Sequence, residues 1–165
     1  MSKRFMLTAA GTASVAVAGI ASAELIDFTV IQDQYISEAS WQIINSAGST
    51  VASMYISGSS VFLPDGASFS GGSTSGGATL YTTNFTLDLA AGDYTLAMQD
   101  TWGDGWVWNG VPGGVTVAGN LDGASSVNFA FSSGSSAGGT FTVVPAPGAL
   151  ALLGLAGVAG RRRRG

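Results

Sequence analysis

Two acidic stretches hold most of the side chains that could do chemistry. The first is D33-Q-Y-I-S-E38-A-S-W41 and the second is D100-T-W-G-D104-G-W106, followed closely by Asn109. Gly103 and Gly105 permit positive φ, so the second stretch can close into a tight loop that draws Asp100 and Asp104 together. Two carboxylates in one turn, with no basic side chain near them in sequence, repel unless a cation lies between them. Ca²⁺, which takes oxygen ligands, is the cation this chemistry suits. The expected ligands are Asp100 and Asp104, completed by Glu38, Asp33 and Asn109. The spacing is not that of an EF-hand: Asp100, Asp104 and Gly105 match its positions 1, 5 and 6, but Trp102 stands at position 3 and Val111 at position 12, where Glu is needed. The same residues also suit a hairpin turn in which the aspartates cap backbone N–H groups and Trp106 packs into the core. The sequence leaves both readings open.

Trp102, Trp106 and Trp108 surround those polar groups. Flat rings beside Asp and Asn can hold a sugar, stacking on its C–H faces while its hydroxyls find hydrogen bonds. The alternative is core packing, because alternation along a strand sends at least one of Trp106 and Trp108 inward.

Catalysis has little to work with. The chain has no His and no Cys, and its only Lys is Lys3. Nucleophile-and-base arrangements therefore lack a base between the ends of the chain. A carboxylate pair for glycoside hydrolysis would have to come from Glu38 and a nearby Asp, and no spacing selects one. The expectation is a protein that is not an enzyme.

The elements that must position these residues read as strands. Short stretches alternate apolar and polar residues between Gly, Ser, Asn and Asp: Trp41 and Ile43; Phe85, Leu87 and Leu89; Tyr94, Leu96 and Met98; Val115 and Val117; Val127, Phe129 and Phe131. Period two marks a strand with one buried face. Several such strands at intervals near ten residues predict an all-β domain over residues 24–131, an antiparallel β-sandwich of jelly-roll-like topology. Residues 65–78 are so rich in Gly and Ser that they read as a loop, and residues 132–142 as a flexible linker and approach to the tail.

All six basic residues stand at the ends, as Lys3, Arg4, Arg161, Arg162, Arg163 and Arg164, and all ten acids lie between them. A body with no cation cannot neutralise phosphates, which excludes nucleic acid as a partner and favours divalent cations or neutral polymers. At the N-terminus, Lys3 and Arg4 precede an apolar stretch over residues 5–20, and Ala21, Ser22 and Ala23 supply the small-residue site that signal peptidase reads. The reading is a signal helix within residues 1–23, with Glu24 as the first mature residue. At the other end, residues 143–165 carry Pro145, Ala146 and Pro147, an apolar helix over residues 148–160 and the arginine cluster 161–164. Thirteen helical residues span about 20 Å, short of a hydrocarbon core of roughly 30 Å. Such a segment suits temporary retention in the inner membrane, with the arginines held on the cytoplasmic side.

This ordered set of proline pair, Leu/Gly/Ala-rich segment and terminal arginines resembles the PEP-CTERM sorting signal of Gram-negative bacteria, in a PAP form with Ala146 where Glu usually stands. The resemblance implies an exosortase-like membrane protease that cuts near the prolines and passes the protein to the cell surface or an exopolysaccharide matrix. The body, over about residues 28–118, is similar to a secreted bacterial β-domain with DxYPxExxW early and DSxGDGWNG late. It differs in Ile36, in Thr101, and in Val107 and Trp108 inserted before Asn109. These residues together lead to the expectation of an exported surface or matrix protein stabilised by calcium, or of a carbohydrate-binding module that holds exopolysaccharide through its tryptophans.

Overall fold

The computed structural model describes residues 23–75 and 78–146. Its eleven strands are β1 (Ala23–Gln32), β2 (Ala39–Asn45), β3 (Thr50–Ser57), β4 (Ser60–Phe62), β5 (Ser68–Ser75), β6 (Ala78–Ala90), β7 (Gly92–Asp100), β8 (Val107–Trp108), β9 (Val111–Leu121), β10 (Ala124–Phe131) and β11 (Ser136–Val143). A 3-10 turn, Ile36–Glu38, leads into β2. The expectation of an all-β body holds: every strand pairing is antiparallel, within one curled sheet. The expected signal helix and C-terminal helix lie outside the described residues. Among the described residues no helix is long and apolar enough to cross a membrane.

The path through the sheet runs β4-β3-β2-β7-β11-β9-β1-β6-β5, with β8 and β10 also on β9. One pair, Val143↔Leu121, joins the β11 side to the β9 side. Every alternating stretch singled out in the sequence lies within a strand. In β1 the alternation buries Ile26, Phe28, Val30 and Gln32, and in β7 Tyr94, Leu96, Met98 and Asp100. The core is aromatic at its centre: Phe85 stacks on Phe28 at 4.9 Å and on Trp41 at 5.1 Å, so three rings from β1, β6 and β2 form one pile. Offset stacks of this kind add to the hydrophobic gain of burying large rings.

Two expectations are corrected. Ser68–Ser75, read as part of a loop, pairs with β6 as strand β5. Residues 132–142, read as a linker, contain most of β11, which pairs with β7 from Ser136↔Gln99 to Val143↔Gly92. The reason is close approach. A side chain at Gly138 would strike the carbonyl of Leu96 and one at Gly139 would strike the Phe129 ring, so glycine is what lets β11 fit between its neighbours. Composition suggested flexibility where these positions require compactness.

Candidate metal site at one pole

The two acidic stretches meet because β2 and β7 are neighbours. Their register sets Ala39 opposite Asp100, and the N–H of Thr101 donates to the carbonyl of Glu38 at 3.1 Å. Glu38 thus ends the 3-10 turn beside the point where β7 gives way to the glycine loop. Glu38, Asp100 and Asp104 each present a carboxylate oxygen within 4.8 Å of the other two. Of the five expected ligands, these three are brought together.

Asp33 stands beside them as a buried carboxylate, 3% exposed at the end of β1. Its pKa is raised above the ordinary 3.8, chiefly by desolvation. The N–H of Tyr35, donating to its Oδ1 at 2.8 Å, opposes that rise, and the charges of Asp100 and Asp104 add to it. Glu38 is likewise raised above its ordinary 4.5, first by desolvation and then by Asp100, Asp104 and Asp33. Asn109 is at φ 50 and Gly110 at φ 75, in a two-residue turn between Trp108 and its cross-strand partner Val111. That is the type I′ hairpin pattern, and it gives Asn109 a conformational reason of its own.

The glycine loop folds as its sequence predicts, with Gly103 at φ 84 and Gly105 at φ 79. A side chain at Gly105 would run into the backbone of Ser133, so the loop needs glycine for space as well as for φ. Its floor is the end of β10 and the segment that joins it to β11: the N–H of Asp100 donates to the carbonyl of Ser135 at 3.0 Å, and that of Trp106 to the carbonyl of Phe131 at 2.9 Å. Sequence reading missed this support, because Ser and Gly there suggested only a linker. Asp100 also caps its own turn, with Oδ1 accepting the N–H groups of Trp102 at 2.9 Å and Gly103 at 2.6 Å. The capping turn is therefore present. It is compatible with a cation site, because capping occupies one oxygen of a carboxylate that has two.

Two oxygens bound to one Ca²⁺ at 2.3–2.6 Å can be up to about 5 Å apart. The three carboxylates, within 4.8 Å of one another, are close enough for one such cation to touch all of them. No Lys, Arg or His occurs between Arg4 and Arg161, so no side chain of the described residues can neutralise the site by an ion pair.

The three tryptophans separate. Trp106 is a core residue at 0% exposure, its Nε1–H donating to the carbonyl of Gln99 at 3.3 Å and its ring packed on Phe131. It cannot stack on a sugar, which corrects that part of the sequence reading. Trp108 is half-buried and meets the Tyr35 ring edge-on at 5.5 Å. Trp102 is 80% exposed on the glycine loop, between Asp100 and Asp104 in sequence. The signal residues divide as well: Ala23 opens β1 and Glu24 follows it, while Pro145 and Ala146 follow β11. Ala21, Pro147 and the four arginines lie outside the described residues.

No family model, curated protein or solved structure matches this chain.

Proposed function

We propose that this is an exported, non-enzymatic surface or extracellular-matrix protein whose β-domain is stabilised by one Ca²⁺ ion. Glu38, Asp100 and Asp104 are the ligands, and Asp33 contributes charge beside them. The observation that carries this reading is the convergence of three carboxylates within 4.8 Å in a body that has no cationic side chain. At that separation like charges repel by about 1 kcal/mol per pair in water-like surroundings and by more where partly buried. A bound divalent cation turns this cost into attraction.

In this reading the strands form a jelly-roll-like sandwich, with the β10-β9-β1-β6-β5 set facing the β4-β3-β2-β7-β11 set across the aromatic core. Export runs through signal peptidase at Ala23–Glu24. An exosortase-like protease then acts near Pro145, Ala146 and Pro147 after transient retention in the inner membrane by the tail. Calorimetric titration of the full chain in detergent with Ca²⁺ tests the central part. One site is expected, absent in Asp104→Asn, and a wild-type titration without binding heat at several temperatures overturns it. The mass of the protein recovered outside the cell tests the export route: it should begin at Glu24 and end near Pro147.

A second reading, a module that binds exopolysaccharide, is favoured by one observation, the exposure of Trp102 beside the acidic cluster. Retention of the domain on neutral polysaccharide, lost in Trp102→Ala, is its test.

A further inference from the structure

The chain's two exits from the domain are fastened together. The N–H of Ala146 donates to Glu24 Oε1 at 2.7 Å, Asn120 Nδ2 approaches Glu24 Oε2 at 3.5 Å, and the N–H of Val144 donates to the carbonyl of Asn120 at 3.0 Å. Charge-assisted bonds such as the first are the stronger kind. Residue 146, the last described before the apolar segment 148–160, is therefore held on residue 24, the second described after the apolar segment 5–20. Strand directions place the acidic cluster far from this point. β1 starts beside Glu24 and delivers Asp33 at its other end, nine residues later, about 30 Å away at 3.3 Å per residue. β7 and β11 agree, since Gly92↔Val143 lies at the exit pole and Gln99↔Ser136 at the acidic pole.

We infer that the pole formed by Glu24, Asn120 and residues 144–146 is the face this domain turns toward a lipid bilayer, and that the acidic cluster with Trp102 is presented on the opposite, outward pole. The inference rests on the reading of the two apolar end segments as membrane-directed. It holds before signal cleavage, with both segments attached, and afterwards with the tail alone, because both leave from one place. An outward cation site is open to the medium and to polymers in it, while the bilayer meets the pole from which both ends of the chain leave.

The chain has no cysteine, so single labels are clean. The full chain, with both apolar segments, is reconstituted into phosphatidylcholine vesicles containing nitroxide-labelled lipid, with a fluorophore on Ala124→Cys near the exits or on Ser133→Cys beside the acidic loop. Both positions are exposed. Quenching several-fold stronger at position 124 than at 133 is expected. Asp122→Cys and Thr101→Cys give an independent near and far pair in case one substitution disturbs folding. Equal quenching at both poles, or a reversed order, in vesicle-bound protein overturns the inference while leaving the membrane-directed reading intact. Failure of the chain to associate with vesicles overturns that reading and the inference with it.

Discussion

Thr101 and Glu38 are joined by a 3.1 Å backbone hydrogen bond, and that bond fixes where the acidic cluster forms. It continues the β2–β7 ladder one step past Ala39↔Asp100 and sets the Glu38 side chain beside the loop that carries Asp104. The ladder rather than the loop makes the site, because without it Glu38 and Asp100 belong to separate turns.

The first prediction concerns pH. Asp33 and Glu38 have pKa values raised in the folded state, so the folded protein binds protons more tightly than the unfolded chain. Their contribution favours folding at low pH, weakens as pH climbs from the ordinary carboxylate values through the raised ones, and stays unfavourable above them. With chelator present, these two groups should lower the midpoint of thermal unfolding across that window. Calcium should reduce the loss near neutrality and have less effect as pH falls through the raised values of Asp33 and Glu38, where protons hold those two groups. In chelator, Asp33→Asn and Glu38→Gln should each flatten the decline, and variants that leave the profile unchanged would show that these groups do not cause it.

The tryptophans should behave as opposites. Trp106→Ala removes a fully buried ring and its bond to Gln99, and should cost about 3–5 kcal/mol in a denaturant titration. Trp102→Ala should leave unfolding within about 0.5 kcal/mol of wild type, as exposed positions do. Equal losses in the two variants would contradict this assignment of core and surface.

Thr83 makes a test of the core. It is fully buried, and its Oγ1 has no hydrogen-bond partner among the described residues. A buried hydroxyl without a partner costs about 1–3 kcal/mol, so Thr83→Val, which keeps the shape, should be neutral or stabilising in the same titration. A clear destabilisation would mean that the hydroxyl is satisfied.

The strands were legible in the sequence wherever burial forced alternation, as at Trp41 and Ile43 or at Tyr94, Leu96 and Met98. β5 and β11 were not. Their Ser and Gly residues carry almost no hydrophobic signal, and what holds them is pairing and close approach, as at Gly139 under Phe129. The loop geometry at Gly103 and Gly105 was readable because φ limits are local. Which acids would converge was readable only in part, because register decides it. Trp106 and Trp102 look alike in a motif, and only the packing of Phe131 against one of them tells which is core.

The account stands or falls on calcium. The most direct measurement is the midpoint of thermal unfolding of the full chain with and without millimolar Ca²⁺, for wild type and Asp104→Asn. A ligand that binds only the folded state adds about 2.7 kcal/mol at one hundred times its dissociation constant. The account predicts a clear rise for wild type that Asp104→Asn abolishes. No rise, or one that survives in Asp104→Asn, would contradict it and leave Asp100 and its neighbours as a capped turn.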